Sequence, residues 1–555
     1  MSEQSNVALA PEPAFGGAPA RARRGHGHPW LTLLSVAFGV MMVGLDATVV
    51  AIANPAIARD LGAGLADLQW VTNGYLLALA VSLVIAGRLA DRFGRKTVFL
   101  VGVVGFAAAS VMVGLSGGIG MVVFWRVVQG FAGALLQPAG LAILRSTFSP
   151  ERLNMAIGIW GGVSALAIAS GPIVAGLLVE HVSWQSVFYL NVPVAVAAVV
   201  LGGWVIRQSR DPEAAGSYDL PGVGLLAGSL FALVWGLIKA QSAGFADPLP
   251  LAFLAAAVVL GVAFVLREQN APQPLLPLRL FRSASLSAGT VLVTLGAFAL
   301  FGAFFFLTLY LQQVHGLSPV GAGVRLLPMT ATFIFSAPLA GALTARLGPR
   351  PPLVAGMVAS AVSLLGLSRL TVDSPYLGLW PWFVLLGIGF GLIVVAGTEA
   401  IVGNAPVALA GVAGGVQQTG FQLGGVLGTT VFSTLMSARV GDVLVGRLVE
   451  AGVPADLAPG LAGAREYVAQ GAAPVPAGAP EPLARAITAG SHLAFMDGFH
   501  TALVVGTVIA LAAAAVALLV RPRGAGAPAA DRAAAATAAA TAGTSAATAE
   551  PILAI

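Results

Sequence analysis

Runs of about twenty apolar residues, each enough to cross ~30 Å of hydrocarbon as a helix, recur along this 555-residue chain. No other feature limits the fold so severely. Inside a bilayer the backbone finds no water, so a helix or a closed barrel must satisfy its polar groups, and runs of this length read as helices. Bounded by charges, Gly/Pro turns or short polar loops, fourteen runs lie near 30–54, 68–88, 97–116, 120–144, 156–180, 187–206, 220–239, 249–267, 285–311, 320–345, 352–370, 378–402, 411–436 and 499–520. The expected fold is an all-α membrane protein with fourteen transmembrane helices. Composition excludes a soluble alternative, because only 9% of residues are charged and 57% are hydrophobic, whereas soluble chains carry roughly 25% charge.

The basic residues predict orientation, since Lys and Arg gather in cytoplasmic loops. With the N-terminus inside, 19 of the 28 Lys and Arg fall on the cytoplasmic side and eight outside, with Arg126 within a span. Both termini are therefore expected in the cytoplasm of a cell (inner or plasma) membrane. A net charge of only +5 fits this loop bias and gives no reason to expect a nucleic acid partner. The absence of Cys removes disulfides, thiolate metal sites and thiol nucleophiles. Residues 1–29 lack the order of a signal peptide and read as a disordered cytoplasmic tail, as does the Ala/Thr-rich stretch 521–555. Residues 437–498 read as a long extracellular loop whose amphipathic pieces, Ala438 to Glu450 and Leu483 to Phe495, would form short helices.

A repeat is visible in two basic turns. Gly87, Leu89, Arg92 and Gly94 recur 254 residues later as Gly341, Leu343, Arg346 and Gly348, and Lys96 becomes Arg350. Asp91 is replaced by Ala345. The second run then corresponds to the tenth, giving six-helix bundles over 30–206 and 285–520 with two inserted helices over 207–284. Parallel repeats of this kind can rock about a central cavity and open it to each side in turn.

Four motifs carry a family resemblance. They run from Leu45 to Pro55 in the first span, Gly87 to Lys96 after the second, Trp125 to Gly133 in the fourth and Ser170 to Gly176 in the fifth. In that order, with fourteen spans, the chain resembles the fourteen-helix drug:proton antiporter branch of the major facilitator superfamily over roughly residues 30–520. In the fifth span Ala167 and Ala175 stand where that branch usually has glycine. The resemblance implies export of amphipathic drugs or antibiotics, with the motif acid and arginine tied to proton coupling. Alternatives within the same fold are a proton-coupled symporter importing a nutrient and an exporter of an endogenous metabolite or lipid.

The residues themselves mark a short list. Asp46 lies ~12 Å from the outer end of the first span at ~1.5 Å per residue, and intramembrane acids mark ion or proton pathways by default. Arg126 enters the fourth span from outside to a similar depth, so the two are placed to pair, either as a titrating switch or as a permanent lock. Glu399, near the inner end of the twelfth span, is a third candidate for proton coupling or, equally, an interfacial charge that snorkels. Arg325 and Lys239 sit near the outer boundary and read as snorkelling. Gly87, Asp91, Arg92, Gly94, Arg95 and Lys96 form a candidate cytoplasmic gate. Gly171 and Pro172, with Gly176, read as a kinked and closely packed helix. Gln129, Gln137, Gln417, Gln418 and Gln422 are polar residues within spans and candidates either for a substrate cavity or for bonds across helices, while Trp160, Phe304 and Phe305 offer faces to a flat hydrophobic or cationic ligand or serve only as core.

Other classes fit poorly. The six His are scattered, without the cluster an intramembrane enzyme would need. Gly94 to Thr97 is no phosphate-binding loop, which argues against an ATP-driven pump. No cofactor is expected, energy would come from a proton gradient, and the partners expected are a small-molecule substrate, protons and the bilayer, with the chain acting as a monomer.

Overall fold

The computed structural model describes residues 28–209, 219–243, 247–271, 274, 278–405 and 410–521. The two tails expected to be disordered lie almost wholly outside the described residues. Fourteen long helices follow in order. They are α1 (Pro29–Leu61), α2 (Leu65–Phe93), α3 (Arg95–Gly114), α4 (Ile119–Thr147), α5 (Pro150–His181), α6 (Asn191–Val205, entered through a turn at Ser186–Tyr189) and α7 (Leu220–Ala243). Then come α8 (Pro248–Asn270), α9 (Ala284–Leu309, continued by a π turn at Tyr310–Val314), α10 (Pro319–Leu347), α11 (Arg350–Leu367), α12 (Tyr376–Val402), α13 (Ala410–Glu450) and α14 (Glu481–Ala517). Among the described residues, eleven helices qualify by length and composition to cross a membrane, or twelve when α5, bent by 42° between Ile168 and Ser170, is taken as one span. The bend precedes Pro172, which lacks the N–H that would bond residue 168.

Helices α2 and α13 carry polar residues on the faces that pack together. They meet each other between the two bundles, where Gln69, Asn73, Thr429, Thr430 and Ser433 are buried. A helix shielded from lipid need not be apolar all round.

We call the end where α1 begins the near end and the end where it finishes the far end. The repeat extends well beyond the two turns. Helices α2 and α10 each have 29 residues and lie 254 apart at both ends. Each stops at a glycine with positive φ, 101° at Gly94 and 81° at Gly348, a backbone region that penalises any Cβ. Contacts repeat too: α1 packs on α5, α2 on α4, and α3 on α4 and α6, just as α9 packs on α13, α10 on α12, and α11 on α12 and α14. In α4, Trp125, Gly130 and Gly140 correspond to Trp382, Gly387 and Gly397 in α12. A Cβ on Gly130 would strike the Tyr75 carbonyl, and one on Gly387 the Met329 carbonyl 254 residues on, so glycine permits the same close helix crossing in both bundles. Between the bundles α5 meets α10 and α2 meets α13. The inserted α7 and α8 pack together, and α7 also touches α13 and α2.

Two sequence expectations need correction. The stretch Gly87 to Lys96 is not a loop, because α2 continues to Phe93 and Gly94 alone separates it from α3. Leaving the hydrocarbon gives a helix no reason to stop; a break in backbone geometry does. Likewise most of 437–498 is helix. α13 runs to Glu450 and α14 starts at Glu481, so the amphipathic pieces prolong neighbouring helices rather than forming separate ones. Val440, Leu444 and Leu448 bury one face with Ile487, Ala494 and Phe495 in a shared core. Arg447 ties the two extensions, with Nε and Nη2 donating to Asp497 at 2.7 and 3.1 Å and Nη1 to Glu450 at 2.7 Å.

Candidate functional site

At mid-depth, α1 and α4 bring two buried charges together. Arg126 Nη1 lies 2.6 Å from Asp46 Oδ2, and both side chains are 1% exposed. An isolated charge here would cost several kcal/mol or more, so every polar edge needs a partner. Gln129, one turn on from Arg126, supplies two: its Oε1 accepts from Arg126 Nη1 at 2.6 Å and its Nε2 donates to Asp46 Oδ1 at 3.0 Å. Nε2 also reaches Ser110 Oγ of α3 at 2.8 Å, which in turn accepts from Asn191 Nδ2 of α6 at 3.2 Å. Arg126 Nε donates to the Val71 carbonyl of α2 at 3.0 Å, and its guanidinium carbon stands 4.2 Å from the Tyr75 ring centroid, a cation–π geometry. The centre thus draws on α1, α2, α3, α4 and α6, all from the first bundle.

This support has a chemical consequence. If Asp46 takes a proton, the ion pair is lost, but Arg126 keeps the Val71 carbonyl, Gln129 and the Tyr75 face. The cation is not orphaned by a change of charge on its partner.

Beside the pair lies a cavity of about 20 Å³, bounded by Asp46, Thr72, Tyr75 and Arg126 of the first bundle and by Phe301 and Thr429 of the second. That volume holds roughly one water. Toward the far end the bundles are joined by hydrogen bonds. Asn73 Nδ2 donates to Thr430 Oγ1 at 2.8 Å, Thr429 Oγ1 to Asn73 Oδ1 at 2.7 Å, Gln312 Nε2 to the Ile52 carbonyl at 3.1 Å and the Val320 N–H to Glu180 Oε2 at 3.0 Å. The segment between α13 and α14 closes over this end, with Val468 and Ala469 buried in one core with Leu65 and Leu68 of α2.

The sequence-predicted residues divide accordingly. Asp46 and Arg126 meet as their depths implied. Gln129, assigned to the cavity wall from sequence, is buried and bonds to Arg126, Asp46 and Ser110. Gln417 is half-buried and donates to Thr398 Oγ1 at 2.6 Å; Gln137 and Gln418 are half-buried, and Gln422 is buried. Glu399 is exposed near the near end of α12, apart from the pair. Phe304 and Phe305 border the small cavity, while Trp160 does not.

Gly171 and Gly176 occupy the contact of α5 with its neighbours. A Cβ on Gly171 would strike Thr48 of α1, and one on Gly176 would come within 2.7 Å of the Pro319 carbonyl of α10. Gly323 of α10 faces the Pro172 carbonyl in return. In the gate motif, Lys96 Nζ donates to the Gly203 carbonyl at 2.7 Å and the Arg95 N–H to the Ser209 carbonyl at 3.0 Å. Arg92 is exposed, and the side chain of Asp91 lies outside the described residues. Among the described residues, a Cβ on Gly87 would meet Pro138 at 3.8 Å and one on Gly341 nothing within 4 Å. Arg325 and Lys239 rest 5.6 Å from the rings of Tyr376 and Trp235 rather than merely reaching for headgroups. Tyr75, Ser110 and Asn191 were missed by sequence reasoning, although a polar residue inside an apolar run was the available signal.

The sequence profile of the Major Facilitator Superfamily matches residues 36–429. Among curated proteins, the tetracenomycin C resistance and export protein of Streptomyces glaucescens is 53% identical over 91% of this chain and 93% of its own length. The multidrug efflux pump LfrA of Mycolicibacterium smegmatis is 32% identical over 88% of this chain and 95% of its own. Among solved structures, a bacterial homologue of the human lysosomal transporter Spinster, in an inward-facing and unoccupied conformation, superposes with a TM-score of 0.59 at 18% identity, covering 89% of this chain and 98% of that one. At that identity the likeness concerns the fold.

Proposed function

The chain belongs to the major facilitator superfamily, transporters rather than enzymes, and on that premise we propose that it exports a drug or antibiotic in exchange for protons. The observation that carries the reading is the 53% identity, over nine-tenths of both chains, to a protein named for tetracenomycin C resistance and export. In this reading all fourteen long helices span a cell membrane, both termini lie in the cytoplasm, the near end is the cytoplasmic one, and the chain works as a monomer.

Coupling falls to Asp46 and Arg126. A proton on Asp46 Oδ cancels the ion pair and frees one face of Gln129, while Arg126 stays held by the Val71 carbonyl. Loss of the pair then shifts the balance between the far-closed arrangement described here and a far-open one, since a proton biases a two-state element by its differential affinity. Glu399, exposed toward the near end, is placed to meet cargo that carries positive charge. Gly87, Asp91, Arg92, Gly94, Arg95 and Lys96 act at the near-end gate, and Gly171, Pro172 and Gly176 form the bend about which α5 adjusts.

The test is transport in proteoliposomes under an imposed pH gradient, with a panel of fluorescent cations. Gradient-driven export is expected in the native chain, with exchange but no gradient response after Asp46→Asn. Equal export with and without the gradient would sink the coupling, and a tag found outside at either terminus would sink the topology.

A further inference from the structure

Tyr75 of α2 stands beside the ion pair with a hydroxyl that the pair does not use. The residue is fully buried, and its hydroxyl has no hydrogen-bond partner among the described residues. A buried, unsatisfied O–H is costly to keep. The ring itself is fixed on two sides: the Arg126 guanidinium carbon sits 4.2 Å from its centroid, and Phe106 meets it edge on at 6.3 Å and 82°. A phenylalanine would keep both contacts, so ring packing does not account for the oxygen. Nor does the duplicated frame. The second bundle makes the same close crossing at Gly387 with Met329, the counterpart of Tyr75 in the repeat, and a thioether carries no donor.

Tyr75 borders the cavity of about 20 Å³ that Asp46 and Thr72 also border. Besides room, a buried water needs two to four polar partners, and these three residues supply them. Thr429 lies on the same wall, but its hydroxyl donates to Asn73 at 2.7 Å. Phe301, Phe304 and Phe305 make the α9 side apolar. Asp46 Oδ1 and Oδ2 accept from Gln129 and Arg126, and a carboxylate has about four lone-pair sites, so a further donor finds a place.

We infer that this cavity is a binding site for a single water and that Tyr75 is the positioning residue that aims it at Asp46. The Tyr75 O–H donates to the water oxygen, leaving the two water hydrogens for the Asp46 carboxylate and the Thr72 hydroxyl oxygen. The water is then the last carrier of the proton. An incoming hydronium gives it a proton as it gives one of its own to Asp46 Oδ; one O–H bond breaks, one forms, and the water is regenerated. Its walls come from both bundles, so parting them exposes the site to bulk water. This deepens the proton-exchange reading above and rests on it.

The test measures ethidium transport by the full chain in proteoliposomes, with and without an imposed pH gradient. Tyr75→Phe is expected to lower the ratio of gradient-driven to gradient-free transport about tenfold, the scale of one hydrogen bond to a charged centre. Thr72→Val should lower the ratio in the same direction, and Thr72→Ser should restore it. A merely structural defect would lower both rates together and leave the ratio alone. An unchanged ratio in Tyr75→Phe would overturn the water site while leaving coupling through Asp46 standing. A native chain that moves no ethidium, or moves it equally with and without the gradient, would overturn both. If thermal unfolding shows Tyr75→Phe to be misfolded, the Thr72 pair decides: a loss in Val that Ser restores supports the site, and equal ratios in all three chains overturn it.

Discussion

Where the first bundle sets Asp46 of α1 against Arg126 of α4, the repeat places Leu300 of α9 and Phe383 of α12, and Leu386 stands in place of Gln129. Leu386 and Phe383 are buried like the charges they replace. Backbone contacts that set the helix crossings are kept in both bundles, as Gly130 and Gly387 show, while the side chains at the same depth have opposite chemistry. A duplicated frame therefore needs only one charged centre, and the other copy is left free to present apolar surface.

The sharpest way to break this comparison is to leave one charge unpaired. Arg126→Ala is expected to cost about 3–5 kcal/mol of stability, read as thermal unfolding in nanodiscs, and Asp46→Asn combined with Arg126→Gln should recover most of it. A loss under ~1 kcal/mol for the single variant would mean the pair is not held as charges. Next in size is the contact between bundles. Gly323→Val forces a side chain against the Pro172 carbonyl and should cost the far-closed state about 1–3 kcal/mol. A single Cys introduced at a far-end position reports the shift as faster labelling, on a chain that has no Cys of its own. In the second bundle Phe383→Leu should cost less than about 1.5 kcal/mol and leave gradient-driven export intact; a lost gradient response would show that coupling is not confined to the first copy. The smallest effect is expected from Thr430→Val, which removes the bond to Asn73 and should cost about 0.6 kcal/mol, typical of hydrogen bonds between helices in a bilayer. An effect several times larger would make that bond a principal latch.

Much of the fold was legible because the bilayer sets a length that sequence must meet. Each of the fourteen apolar runs has its helix, and the depths of Asp46 and Arg126 foretold their meeting. What failed was whatever the bilayer does not dictate. Helix ends beyond the hydrocarbon follow backbone geometry, so α2 runs on to Gly94 and α13 on to Glu450. Rotation about a helix axis was also hidden: Gln129 and Gln417 look alike in sequence, yet one bonds to the ion pair and the other, half-buried, to Thr398.

That Asp46, Arg126, Gln129, Ser110, Asn191, Tyr75 and Val71 all come from the first bundle has a consequence for inheritance. On the proposed reading, the groups that take up the fuel lie in one half of the chain, so the other half can change residue by residue without removing them. A chimaera that keeps everything up to the linker after α8 and takes its second bundle from a relative would then run on the same proton.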